Sequence, residues 1–193
     1  MDATRSAMNP RYPRAVQLKD GTTVSLRLVN RADADRIVAF ARELPPDDLL
    51  FLGIDITDPD AVVRWLESAD DGRAIVVVAE SGGAIAGYAA LLHDQVSWQR
   101  HLGEIWIHVG PRCRSRGLGA ELAREISAIA RERGLRKFVA RMTPDQTGAI
   151  STFERLGFTR QALLQDFVID SAGRTRDLVL MAREVPVPPS RRD

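Results

Sequence analysis

Between residues 104 and 134 a strand pattern runs into an arginine- and glycine-rich loop and then into the strongest helical pattern of the chain. Glu104-Ile-Trp-Ile-His-Val109 reads as a strand, and Gly110-Pro111 closes it. Arg112-Cys113-Arg114-Ser115-Arg116-Gly117-Leu118-Gly119-Ala120 follows. Leu118, Leu122, Ile126 and Ile129 then share one helical face, with Gly134 as its stop. Two glycines at a helix start let the backbone approach a ligand with no Cβ in the way. The free N–H groups and the helix dipole there favour an anion. Arg112, Arg114 and Arg116 add positive charge to that start. Over the whole chain 27 basic residues face 26 acidic ones, a formal net charge of +1, so the positive charge is local. No global field points to nucleic acid or to an anionic membrane. A diphosphate fits this chemistry. A Walker A loop needs Lys-Ser/Thr after its last glycine, and Ala120-Glu121 stands there. A dinucleotide fingerprint needs a third glycine that is absent. A solvated arginine-rich loop around a glycine turn stays open as the alternative.

The rest of the chain alternates strands and helices. Ala15–Lys19 and Thr22–Leu28 read as strands around Asp20-Gly21. Asp33–Leu44 reads as a helix with Ile37, Phe40, Ala41 and Leu44 on one face, capped by Asn30 and stopped by Pro45-Pro46. A second helix starts at Asp58-Pro59, with Val62, Trp65, Leu66 and Ala69 as its apolar face. Ala74–Glu80 and Ala84–Leu92 form a hairpin across Ser81-Gly82-Gly83. Lys137–Met142 is a strand and Gln146–Leu156 a helix ended by Gly157. Phe158–Ile169 and Arg174–Ala182 are the last strands, turned at residues 170–173. The order β-α-α-β-β-β-α-β-α-β-β predicts an α/β protein with a mixed sheet and helices on both faces. Residues 1–13 read as a flexible arm, 14–184 as one domain and 185–193 as a Pro/Arg-rich tail. The one cysteine, Cys113, excludes an internal disulfide and multi-cysteine zinc sites. The apolar run Ala74–Ala79 is too short to span a bilayer, and the N-terminus has no secretory apolar stretch, so the expectation is a cytoplasmic protein without membrane contact.

Arg114-Ser115-Arg116-Gly117-Leu118-Gly119 resembles the Gln/Arg-x-x-Gly-x-Gly/Ala signature of the GNAT superfamily of acyl-CoA-dependent N-acetyltransferases. Glu104 to Arg112 resembles the family's preceding strand and its bulged end. Ala149 to Phe158 is similar to its later helix, Ala-x-x-x-Tyr-x-x-x-Gly-Phe, and Asp177 to Met181 is typical of its close. The resemblance covers residues 15–184. A weaker one, carried by Leu18 to Val24 with Arg27 and Asp33, is to the acetyltransferase domain of bacterial protein-lysine acetyltransferases.

The resemblance implies a mostly antiparallel mixed sheet with a V-shaped split between two parallel strands, here Glu104–Val109 and Lys137–Met142. Acetyl-CoA would lie there as co-substrate, with no metal. Backbone groups of Ile107, His108 and Val109 would meet the pantetheine arm, and the Val109 N–H the thioester oxyanion. The N–H groups from Arg114 through Ala120 (Arg114, Ser115, Arg116, Gly117, Leu118, Gly119, Ala120) would hold the diphosphate. A substrate amine with pKa ~10.4 is protonated at neutral pH, so attack on the thioester needs a base. Glu104, at the rim of an apolar strand with its pKa raised by burial, is the candidate; a strand-end Glu salt-bridged to an arginine is the alternative. The family's tyrosine acid falls at Phe153, which has no proton to give and is expected on the pantetheine or in the core. Its asparagine falls at Gln146, which keeps an amide for the cofactor. Tyr88 is a substitute acid candidate.

His93, His101 and His108 are too scattered for a metal site, and Cys113 reads as incidental. Trp98 and Trp106 read as packing groups and Trp65 as core. The acceptor would be a primary amine, on a small molecule or a protein lysine, attacking in a ternary complex. Its site would use the first two helices and the loops around 45–58 and 93–103. Asp47, Asp48, Asp55, Asp58 and Asp60 give the first region negative charge, which suits a cationic amine, with an ordinary solvated acidic loop as the alternative. Such domains often form homodimers, though no interface is marked. A catalytically silent acyl-CoA-binding regulatory module is the alternative, kept open by Phe153. A nucleic-acid binder is disfavoured by the near-zero net charge.

Overall fold

The computed structural model describes residues 11–49, 54–70, 72–93, 98–170 and 172–185. Eight strands hydrogen-bond in the order β1-β2-β3-β4-β5-β6-β8-β7. The chain divides into two compact units, Met1–Ala90 with Ile107–Glu125, and Leu91–Trp106 with Ile126–Asp193.

In the first unit β1 (Arg14–Gln17) and β2 (Thr23–Leu28) are antiparallel, and β2 pairs antiparallel with β3 (Ala74–Ser81). β3 turns into β4 (Ala84–Leu92) at Gly82 and Gly83, whose φ values of 58° and 80° are those a two-residue hairpin turn demands. The first helix starts one residue later than its pattern suggests. Asn30 caps a short 3-10 turn, Arg31–Asp33, by accepting from Ala32 N–H, and Asp33 returns a carboxylate oxygen to Asn30 N–H at 2.9 Å. Helix α1 (Ala34–Arg42) follows, with Ile37, Val38, Phe40 and Ala41 buried. Asp33 is buried because Arg27 binds both its oxygens, at 2.6 and 2.7 Å, and Arg36 adds a third contact. Pro46 opens a one-turn helix, α2 (Pro46–Leu49), where the sequence pattern suggested only a stop. Helix α3 (Pro59–Asp70) buries Val62, Trp65 and Leu66 as its spacing predicts, with Ala69 half-buried. Phe40 and Trp65 meet Tyr88 of β4 edge-on, with centroids 6.0 and 5.5 Å away.

Residues 1–10 of the expected arm lie outside the described residues, but its end is fixed. Tyr12 is buried and its hydroxyl donates to Glu125 at 2.8 Å. Arg11 and Arg14 pair with the same carboxylate at 2.6 and 2.7 Å, so a 2% exposed glutamate carries three partners. Helix α4 (Leu118–Glu132) supplies Glu125 and buries Leu118, Leu122 and Ile126 completely.

In the second unit β5 (Leu102–Val109) and β6 (Lys137–Met142) are the parallel pair. Their ladder runs from Leu102↔Lys137 to Glu104↔Val139 and stops, although both strands continue. This is the parallel pair the resemblance implied. β6 pairs antiparallel with β8 (Thr175–Glu184), and β8 with the edge strand β7 (Thr159–Ile169), which carries register shifts. Helix α5 (Thr147–Arg155) ends at Gly157 with φ 85°. Trp98 corrects the sequence reading: it is 83% exposed, in the turn ahead of β5 and outside the strand alternation that buries Ile105. Val185, at the start of the expected tail, is buried, and residues 186–193 lie outside the described residues. Among the described residues no helix is long and apolar enough to cross a membrane.

Candidate functional site

The loop after β5 is braced from both sides in the first unit. Gly110 N–H donates to Ala86 O at 2.9 Å, and a Cβ on Gly87 would stand 2.7 Å from His108 O, so β4 and β5 approach closely only because residue 87 is glycine. The residues Pro111–Cys113 form a 3-10 turn. Ser115 and Gly117 then take positive φ, 61° and 92°, and α4 begins. The backbone conformation spends two donors of the expected cradle: Arg114 N–H donates to Pro111 O and Ala120 N–H to Gly117 O. The N–H groups of Ser115, Arg116, Gly117, Leu118 and Gly119 have no acceptor among the described residues. The run of N–H groups left for an anion is therefore shorter than the expected span from Arg114 to Ala120. Gly117 needs its left-handed φ. Gly119 does not, and a Cβ there would meet Val109 Cγ2 at an ordinary 3.6 Å. The fold has room for a side chain at Gly119, so its absence serves the open approach to the N–H groups.

The three arginines do not point bare charge at this cradle. Arg112 pairs with Glu43 at 3.9 Å, Arg114 with Asp48, and Arg116 with Asp20 at 2.9 Å. Arg114 also donates through Nε to Val109 O at 3.1 Å. The local excess of positive charge expected from the sequence is thus offset by carboxylates from distant segments. These pairs are exposed, and each contributes only about 0–1 kcal/mol, so a more densely charged anion can compete for the arginines.

His108 stacks at a tilt on Tyr88, centroids 5.1 Å apart. Burial pushes its pKa down to about 4, Asp48 opposes that shift and Arg114 adds to it. The ring is neutral at pH 7 and offers a phosphate no charge. Tyr88 is itself sealed: it is 1% exposed, its hydroxyl has no partner among the described residues, and burial holds its pKa well above the usual phenol value. That corrects the idea of Tyr88 as an accessible acid. Cys113 is a free, half-buried thiol. The acidic loop is also largely engaged. Asp48 holds Arg114, Asp55 accepts from Thr57 N–H and Oγ, and Asp58 caps Asp60 N–H. Residues 50–53 and 94–97 of the expected acceptor loops lie outside the described residues.

In the second unit Glu104 sits on β5 with its side chain 24% exposed. One oxygen accepts from Trp106 Nε1 at 3.1 Å and the other faces Arg141 Nη2 at 3.3 Å. The sequence suggested a desolvated carboxylate against an apolar wall, with a salt-bridged glutamate as alternative. The salt bridge is what forms, because β6 brings Arg141 beside β5, and Trp106 adds a polar contact to its packing role. Gln146 precedes α5, and its side-chain oxygen accepts from Thr143 N–H at 3.0 Å, leaving its NH2 as donor. Phe153 is core: it is buried and meets Phe158 edge-on at 4.9 Å. Among the described residues no cluster of three or more His, Cys, Asp or Glu could hold a metal ion.

A model of the acetyltransferase (GNAT) family matches residues 39–158. The L-amino acid N-acyltransferase MnaT of Escherichia coli (strain K12) is 26% identical over 160 residues, covering 82% of this chain and 92% of that protein. The solved GNAT domain of S. lividans PAT superposes with a TM-score of 0.75 at 22% identity, covering 91% of this chain and 98% of that one. yncA from Salmonella typhimurium, solved with its cofactor acetyl-CoA, superposes with a TM-score of 0.73 at 23% identity, covering 88% of this chain and 98% of that one. Those two likenesses establish a shared fold, and the family model, which spans more than half of the residues from β1 to β8, establishes kinship: the chain belongs to the acetyltransferase (GNAT) family.

Proposed function

We propose that the protein moves an acetyl group from acetyl-CoA to a primary amine, by direct attack in a ternary complex. One observation carries the reading: the run of N–H groups from Ser115 to Gly119 at the start of α4, without acceptors among the described residues and left open at Gly119, where the fold has room for a side chain. These donors and the helix dipole suit the diphosphate of the carrier. The backbone of Ile107, His108 and Val109, which leads into that loop, is assigned to the pantetheine arm, and the Val109 N–H to the developing oxyanion. Bound acetyl-CoA supplies the activated acyl group; the chain's own residues orient it and handle the proton.

Glu104 is assigned as the base. Its pairing with Arg141 does not forbid this, because Arg141 is 53% exposed and such pairs are worth at most about 1 kcal/mol. Releasing Arg141 to solvent leaves an oxygen free to take the amine proton, directly or through water, while Trp106 fixes the other. Phe153, buried at the position of the family's tyrosine, has no proton to give the departing thiolate. A thiolate of pKa ~8.5 leaves without full protonation. The amine is read as that of an amino acid, another small molecule or a protein lysine, and the compartment as the cytoplasm.

The second reading, a CoA-binding module without turnover, is favoured by the buried Phe153 and the paired Glu104. Titration calorimetry with acetyl-CoA, followed by CoA release across amino acids, polyamines and lysine peptides, separates them. Binding with release supports the enzyme, binding with none supports the module, and no binding refutes both.

A further inference from the structure

We infer that Lys19, from the turn between β1 and β2, is the cation that completes the diphosphate site; this rests on the acetyl-CoA reading above. Only two of the 27 basic residues are lysines. Lys137 is paired with Glu184 at 2.8 Å. Lys19 is exposed and its ammonium meets no carboxylate among the described residues, whereas all three loop arginines do. Its position is built. Lys19 N–H donates to Arg116 O at 3.0 Å, which ties the turn to the loop backbone. Its stem lies over Gly117: a Cβ there would stand 3.4 Å from Lys19 Cγ, 3.7 Å from Cδ and 3.5 Å from Cε. The ammonium, one bond beyond Cε, is therefore within reach of Gly117, the middle residue of the N–H run that has no acceptor among the described residues.

The neighbouring residue divides the labour. Asp20 takes Arg116 at 2.9 Å and accepts from Thr22 N–H at 3.1 Å, while Gly21 turns the chain with φ 83°. Lys19-Asp20 therefore neutralises one loop arginine and replaces it with a compact, mobile point charge. An ammonium binds a phosphate oxygen from any direction, which suits a site whose geometry is set by main-chain donors. The loop arginines, already committed to Glu43, Asp48 and Asp20, contribute through weak pairs that must first be exchanged.

The test is calorimetric binding of CoA, 3′-dephospho-CoA and pantetheine to the wild type, Lys19→Met and Lys19→Arg. Methionine keeps an unbranched stem over Gly117, so the folded protein should melt as the wild type does. The expected result is a loss of about tenfold in affinity for both CoA and dephospho-CoA in Lys19→Met, no change for pantetheine, and substantial recovery in Lys19→Arg. The same affinity for CoA in Lys19→Met and wild type overturns the inference and leaves the acetyl-CoA reading intact. A loss seen with CoA but not with dephospho-CoA also overturns it, since the contact would then be to the 3′-phosphate. A wild type that binds neither CoA nor dephospho-CoA defeats both.

Discussion

Replacing His108 should change how the protein's stability depends on pH. In the unfolded chain a histidine binds its proton near pH 6.5. In the folded protein burial against Tyr88 and the nearby Arg114 hold His108 near 4, in spite of Asp48. Between those values the unfolded state carries the extra proton, so acid favours unfolding. The stabilisation is fully present above pH 6.5 and falls as the pH drops towards 4. With these two pKa values, linkage predicts that unfolding free energy falls by about 2 kcal/mol between pH 7 and pH 5. Stopping at pH 5 matters. Glu80 and Asp33 are held below their ordinary carboxylate values by Arg27 and Arg36, so their losses belong to lower pH. Urea unfolding, followed by tryptophan fluorescence at pH 7, 6 and 5, measures the slope in the wild type and in His108→Gln. The variant should start less stable at pH 7, having lost a packed ring, and then lose about 2 kcal/mol less on acidification. Parallel slopes in the two proteins would refute the claim that the fold holds His108 in its neutral form.

Other substitutions test separate parts of the argument. Glu104→Gln should lower kcat by about 10²–10⁴ while acetyl-CoA affinity in calorimetry stays as in the wild type; near-normal turnover removes Glu104 as the base. Tyr12→Phe and Glu125→Gln should each destabilise by about 1–3 kcal/mol, with the double variant less than additive because they share the 2.8 Å hydrogen bond; strict additivity in denaturant melts contradicts the coupling. Phe153→Ala should cost about 3–5 kcal/mol in stability, as expected for a ring seated on Phe158, with CoA affinity preserved under conditions where the variant is folded. An unchanged melting point together with lost CoA binding would instead place that ring against the ligand.

Local pattern carried much of this structure. The apolar spacing of α4, the glycines after α4 and α5, and the turn at Gly82-Gly83 each depend on residues a few positions apart. Helix and strand periodicity therefore located those elements to within a residue or two. Boundaries slipped where a local hydrogen bond competes with the helix, as at Asn30 and Asp33, or where proline opens a turn as well as closing one, as at Pro46. The motif from Arg114 to Gly119 marked the loop, but which of its N–H groups lack an acceptor among the described residues could be told only once the backbone was seen, since the turn uses two of the expected donors.

The amino-acid order alone determined the α/β class, the place of the loop at a helix start and the family, because these follow from periodicity and short motifs. Tertiary structure decided the electrostatics of the site. Arg114 finds Asp48 and Arg116 finds Asp20 across 66 and 96 residues of chain, Arg141 reaches Glu104 from a neighbouring strand, and Lys19 meets no carboxylate among the described residues. It also buried Tyr12 and exposed Trp98. Charge pairing and burial depend on which distant segments become neighbours, and periodicity reports only the face of a residue's own element.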